Sequence, residues 1–505
     1  MPVHAVTSTG WSSPVGRVLS PIGLGLLARL VPPDLVDEVL ELTDRRERRW
    51  RAWPARLGVY FVLALCLLPA KSYSSVIRAM LGTTTLARLW TLGWEPPSTT
   101  ALSKTRDRVG ALPLELLFRR LAGFRPSLLQ PWSHAFGLLV CAWDGTEIAL
   151  ADTDEVADRF PRHRGSKGSG ECGVPKARLL VLLACGTRQL IDTAIGGLGK
   201  GEGEVSLAHR LTGSLRAGML LLADRAFLGY PLWTAARASG ADLLWRAKND
   251  TPRLRAHQIL HDRSYLSRLH DPADLRAWRR NVRRNRKRGH RPPKPRRIAG
   301  VTVRVIEARI TVVVDGTTRT ERYRLVTSLL DPRIAPADEL VALYARRWAA
   351  ETGIGEIKTV LLAGGALRPR TDLRARQELW AALIVYQSLR VLACQAALGT
   401  GMDPSRISFT ATRDAAQLAL TTTPTETDAH LEWVCHDLRR ALITRHIHAR
   451  TFPRALKNTY AGYPPRTKTR QLTCNKASYR VEVLPAPTPP DTSKPSAPPT
   501  QPRAA

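Results

Sequence analysis

The sequence predicts a mixed α/β fold, on three observations. Two apolar runs of strand length each deliver an aspartate at their end, residues 136–143 into Asp144 and residues 219–223 into Asp224. A hairpin pattern and a helical interval lie between them, and a β-branched block then precedes a return to helical period. The chain is 505 residues long with 44% hydrophobic types, enough for several domains.

The elements follow in order. After Pro32-Pro33, Asp34 is a capping acid ahead of Val36, Val39 and Leu40 at helical spacing, which opens an N-terminal helical domain over residues 1–130. Residues 57–68 form an apolar run too short to span a bilayer, so a buried helix is expected. A helix opened by Ser98, Thr99 and Thr100 carries Lys104, Arg106 and Arg108, a basic face suited to nucleic acid or simply to solvent. Residues 131–250 supply the first part of the α/β core: the strand into Asp144, a glycine-rich loop (Gly165, Gly168, Gly170, Gly173), a hairpin over residues 178–195, and the strand into Asp224. Residues 251–335 form a basic, β-rich insertion. Within it, residues 276–297 carry twelve Lys or Arg and no acid, an exposed loop by charge alone, and β-branched runs flank Asp315-Gly316. Helical period resumes over residues 336–400 as the second part of the core and continues as a helical region over 401–483. Residues 484–505 are a Pro-rich tail expected to be disordered.

Charge narrows the partner. Lys plus Arg number 76 against 43 acids, a net charge of +33, which favours a polyanion over a neutral metabolite. No run is long enough to enter a membrane and no basic-then-apolar leader opens the chain, so a cytoplasmic protein is expected. The seven cysteines are scattered without a C-x-x-C pair, which supports neither a disulfide framework nor a zinc knuckle.

Two strand-end aspartates meet if their strands are neighbours, about 4.8 Å apart. Two carboxylates alone repel. A hard divalent cation relieves the repulsion, and two ions about 3.5 to 4 Å apart serve phosphoryl transfer. A third acid is offered by Tyr344, Arg347, Glu351 and Lys358, separated by three, four and seven residues and so within about 60° of one helical face. The same spacing also describes an amphipathic helix with an Arg347–Glu351 ion pair.

In this combination the sequence resembles the DDE transposases of the insertion-sequence-four family. Their signature of Tyr, two residues, Arg, three residues, Glu, six residues, Lys is reproduced at Tyr344, Arg347, Glu351 and Lys358 without a gap. The order Asp-Gly-Thr at Asp144, Ala-Asp-Arg at Asp224, β-rich insertion and then this helix is also similar, over roughly residues 20 to 400. The resemblance implies a ribonuclease-H-like mixed-sheet core interrupted by the insertion. It implies Asp144, Asp224 and Glu351 as ligands of two Mg²⁺ or Mn²⁺ ions, with Tyr344, Arg347 and Lys358 on DNA phosphate. Trp348 is placed where relatives support a flipped base, and Tyr323 near the other flipped-base position. The implied activity is binding of transposon ends, nicking by metal-activated water and strand transfer to target DNA, cut-and-paste, by a homodimer in a synaptic complex at the nucleoid. The N-terminal helices would then be the end-binding domain. The rivals are a metal-dependent nuclease on the same core and a non-catalytic DNA-binding derivative, the latter disfavoured by intact acids at all three positions.

Overall fold

Apolar spacing and capping side chains set the N-terminal helices. Pro33 and Asp34 open α1 (Pro33–Leu42), which buries Val36 and Val39. Helix α2 (Ala55–Leu67) is apolar all round and is accordingly buried nearly throughout. Helix α3 (Tyr73–Thr91) is capped by Ser72, and α4 (Thr99–Val109) by Ser98, which accepts from the Ala101 amide at 3.2 Å. Helix α5 (Leu112–Leu121) completes the set. Arg106, expected on an outward basic face, is instead buried. It donates to Gln377 at 3.2 Å and pairs with Glu378 at 3.0 Å.

The computed structural model describes residues 8–23, 25–47, 49–123, 130–164, 171–248, 254–290, 299–314, 317–421, 427–443, 450–451 and 475–486. Gly165, Gly168, Gly170, Asp315-Gly316, residues 291–297 of the basic run and the tail from 487 lie outside the described residues. Along the chain follow β1 (Leu138–Ala149), β2 (Lys176–Ala184), β3 (Leu190–Gly196), α6 (Glu204–Leu211), β4 (Met219–Ala223) and α7 (Tyr230–Ala238). Next is β5 (Asp242–Arg246), and the insertion holds β6 (Tyr265–His270), α8 (Pro272–Lys287), β7 (Gly300–Val314) and β8 (Thr317–Thr327). Then come α9 (Ala337–Tyr344), α10 (Trp348–Gly355), α11 (Asp372–Ala397), α12 (Phe409–Leu418), α13 (Thr427–Leu438) and β9 (Asn475–Val483).

These elements form two compact units. The first combines residues 1–223, 238–241 and 345–447. Its sheet runs β3-β2-β1-β4, with β1, β2 and β3 antiparallel and β4 parallel to β1. An antiparallel trio with a fourth strand parallel to the first is the ribonuclease-H-like arrangement. All five residues of β4 are buried, which explains why its sequence is a continuous apolar run without alternation. Helix α11 is long and apolar enough to cross a membrane by length and composition, but here it is a core helix, buried against α2 and α5. It also fixes the β2–β3 hairpin. Gln387 accepts from the Leu190 amide at 2.7 Å, and the Tyr386 hydroxyl donates to the Arg188 carbonyl at 3.0 Å.

The second unit holds residues 224–237, 242–344 and 448–505. Its antiparallel strands run β5-β8-β7-β9. One edge of β7 is shared: β6 covers Gly300 to Val305 and β9 covers Ala308 to Val314. Two expectations fail here. Residues 475–483, inside the region expected to be helical, form a strand because Tyr479, Val481 and Val483 alternate with Arg480 and Glu482 and the edge of β7 offers a partner. The basic run, expected as a loop, is the exposed helix α8 over its first half. Arg and Lys are good helix formers, Asp271 caps by accepting from the Ala273 amide at 2.8 Å, and Pro272 stands at the first position.

Candidate active site

Strand period two puts Asp144 and Thr146 on one face of β1 and Gly145 on the other. Asp144 Oδ1 accepts from the Gly145 amide at 2.9 Å. A Cβ on Gly145 would lie 2.6 Å from Glu204 Oε1, so any side chain there would displace the Glu204 carboxylate.

The helix expected as one piece from Pro336 to Lys358 is in fact four segments. A 3-10 turn, Ala345–Arg347, separates α9 from α10, and a π-helical turn, Glu356–Leu361, follows α10. A uniform 100° step therefore does not hold through this stretch. Arg347 pairs with Glu351 one turn on, and its Nη1 lies 3.6 Å from Asp144 Oδ2. One guanidinium thus links the helical acid to Asp144, which was expected at a strand end but lies mid-strand, because β1 stays paired with β2 as far as Ala149. Lys358, on the π turn, donates to Thr146 Oγ1 at 3.1 Å. Helix α10 sits close to β1 and β2 through Gly353, where a Cβ would come within 2.7 Å of the Tyr386 hydroxyl and 3.2 Å of the Leu183 side chain. Glu356 anchors the next turn by accepting from Arg188 at 2.5 Å and from Arg390 Nε at 3.1 Å. Burial pushes the nearby Cys185 thiol up to about 12 although Arg346 and Arg347 pull it down.

The remaining predicted residues are placed as follows. Asp224 comes directly after β4, whose Leu222 lies opposite Ala142 of β1, so each acid follows its paired residue by two positions. Asp224 Oδ1 accepts from the Ala226 amide at 2.7 Å. Tyr344 belongs to the second unit, buried edge-on to Tyr323 with ring centroids 6.2 Å apart. Tyr323 in turn lies under the Arg246 guanidinium at 3.8 Å, and Arg246 pairs with Glu321 at 2.7 Å. Trp348 is 52% exposed.

The structure brings together Asp144, Arg347 and Glu351, and sets Lys358 on the Thr146 of the same strand. Among the described residues no three His, Cys, Asp or Glu side chains lie close enough to hold a metal ion. Thr146, Gly353 and Glu356 are the residues that sequence reasoning missed. Thr146 was within reach, two residues from Asp144 on the same strand face, whereas Gly353 and Glu356 take their roles from partners on β2, α11 and the β2–β3 turn.

Residues 21–119 match the family described as insertion element 4 transposase N-terminal, and residues 136–387 match the transposase DDE domain. The chain is 23% identical over 461 residues to transposase InsG for insertion sequence element IS4 of Escherichia coli (strain K12), covering 88% of this chain and 94% of that protein. It is also 23% identical over 231 residues to the putative transposase InsZ of the same organism, covering 45% of this chain and 72% of that one. A piggyBac transposase synaptic complex with hairpin DNA superposes with a TM-score of 0.37 at 11% identity, over 85% of this chain and 83% of that one. Helices α1 to α4, the strand that carries Asp144 and the helix bearing Glu351 lie inside the two family matches, and the chain belongs to the insertion-sequence-four family of DDE transposases.

Proposed function

We propose that the protein binds the ends of its insertion sequence in duplex DNA and cuts and rejoins strands there by two-metal phosphoryl transfer, in a cut-and-paste reaction. Asp144, Asp224 and Glu351 are the ligands in this reading, for two Mg²⁺ or Mn²⁺ ions. The observation that carries it is the shared guanidinium: Asp144, from the middle of β1, and Glu351, from the first turn of a helix, both lean on Arg347. Carboxylates so arranged call for positive charge, and their oxygens suit hard divalent ions. The Ala-Asp-Arg context after the apolar strand, inside the stretch that matches the transposase DDE domain, supports Asp224 as the third member. The ions, when bound, supply Lewis-acid stabilisation of a phosphodiester and an activated oxygen nucleophile.

The chain's own residues position the DNA. Arg347 has a planar fork that suits phosphate oxygens as well as carboxylates, so it can exchange one for the other as DNA arrives. Lys358, held by Thr146, is a point charge for a neighbouring phosphate, and the Tyr344 hydroxyl is a third contact. Trp348 offers an indole face to an extruded base. Two ends held for joining require two copies of the site, hence a homodimer in the synaptic complex.

Asp144→Asn, Asp224→Asn and Glu351→Gln keep size while removing a charge. Each variant is expected to retain binding to an end-bearing duplex, to weaken Mn²⁺ binding in calorimetry, and to lose metal-dependent nicking by several orders of magnitude. A folded Glu351→Gln protein that nicks at near the unmodified rate would overturn the assignment.

A further inference from the structure

Helix α8 presents a face that nothing in the candidate site uses. Arg276, Arg279, Arg280, Arg283, Arg284 and Lys287 are all exposed and fall within an arc of about 140° at the helical step of 100° per residue. Leu275, Trp278 and Val282 occupy the other side and are half-buried, so the helix leans on its apolar stripe with every cation of that arc turned outward. Their spread, eleven residues, is about 16 Å of helix axis. Among the described residues no ion pair joins an acid to any of these cations. Arg284 instead donates to Asn281 at 2.5 Å. Neighbours at i, i+4 such as Arg276–Arg280 and Arg280–Arg284 therefore repel one another, a repulsion that a bound polyanion would relieve. Duplex DNA carries about one negative charge per 1.7 Å of its axis, so a 16 Å stretch offers about ten phosphates.

We propose that this face of α8 grips the sugar-phosphate backbone of duplex DNA outside the terminal sequence, a sequence-independent hold on flanking or target DNA. Direct readout of adenine calls for Asn or Gln, and α8 directs Asn285 toward its half-buried side and engages Asn281 with Arg284. What remains outward is a set of cations that suit phosphate, and since Arg can also read guanine, it is an equal effect on the two duplexes below that marks a backbone hold. The inference rests on DNA as the substrate proposed above, but not on the three acids.

The test is the salt dependence of binding by the full chain carrying R279Q, R280Q, R283Q and R284Q together. Two duplexes are used, one of random sequence and one ending in the element's terminal repeat. The slope of log affinity against log salt should flatten by about 0.9 for each phosphate no longer neutralised, up to about 3.6 for four, and equally on both duplexes. The matching set of Arg→Lys changes should leave the slope intact, which separates loss of charge from loss of fold. An unchanged slope on both duplexes overturns the proposal and leaves a solvated helix. A change confined to the terminal repeat overturns it in favour of an end-reading helix. Loss of binding to anionic phospholipid vesicles with DNA slopes unchanged overturns it in favour of a membrane surface. Failure of the active-site assignment would show instead as nicking by Glu351→Gln, with these slopes unaffected.

Discussion

Trp348 and Arg106 show how much one residue's surroundings decide. Both are large side chains in helices, yet Trp348 is 52% exposed and Arg106 is 1% exposed. Trp348→Ala should therefore change stability by no more than about 0.5 kcal/mol. If the indole stacks on a base, worth about 1 to 3 kcal/mol, the variant should slow hairpin formation or strand opening more than first-strand nicking. Proportional loss of every step in single-turnover assays would count against base stacking. Arg106→Met leaves the half-buried Glu378 carboxylate without its ion-pair partner, so unfolding free energy at neutral pH should fall by about 2 to 3 kcal/mol. Burial already raises the Glu378 carboxyl above its ordinary 4.5, against the pull of Arg106. A raised acid destabilises the fold increasingly as pH climbs past 4.5, and removing Arg106 raises it further. The loss should thus shrink as urea titrations are moved toward pH 4.5. The place of Arg106 is hidden in the sequence because a cation looks the same whether it faces water or Glu378. Arg347, Glu351 and Lys358 were legible as a set because their spacing is local, whereas Asp144 was legible only from the apolar run that leads into it.

At the scale of elements, the decisive contacts are those that hold α10 on the sheet. Gly353→Ala forces a methyl against the Tyr386 hydroxyl and Leu183, an overpacking worth about 1 to 3 kcal/mol. A lower urea midpoint together with reduced nicking is expected, because Glu351 rides on the same helix. An unchanged midpoint would mean that the helix can shift freely. The strands β1 and β2 carry a second test. Burial would raise the Glu147 carboxyl, but hydrogen bonds from Lys176, His163 and Arg178 hold it at about 2. A depressed acid stabilises the fold fully above its unfolded value of 4.5, and that contribution is lost as pH falls through about 2. Glu147→Gln should be less stable than the unmodified chain at neutral pH, with the difference vanishing on acidification across that window. The strands into Asp144 and Asp224 were legible as apolar runs. The 3-10 and π turns around α10 were not, since they answer to partners such as Arg188, Arg390 and Thr146 that only folding brings near. The helix α8 was hidden for a different reason, its charge density having outweighed the capping Asp271 and the stripe of Leu275, Trp278 and Val282.

For the whole molecule, the sequence announces a mixed α/β fold with an insertion but not how distant segments share a sheet. Strand β9 closes the edge of β7 from more than 160 positions away, and no local pattern names that partner. A chain ending before Asn475 leaves Ala308 to Val314 without its neighbour, an open edge that invites pairing with other copies. Light scattering should show self-association of that truncation under conditions where the full chain is monodisperse, and equal monodispersity would show the edge to be protected by other means. The first unit has the same property on a larger scale, and it bears on how the protein is made. Helix α2 is apolar on every side and its cover includes α11, which begins at Asp372. A ribosome adding about 5 to 20 residues per second takes on the order of 15 to 60 s to travel from one to the other. For that interval the nascent N-terminal helices lack their principal shelter, while Asp144 waits for a Glu351 not yet translated. The nascent protein is therefore exposed and sticky over that interval, and Asp144 and Glu351 come to share Arg347 only after most of its length has left the ribosome.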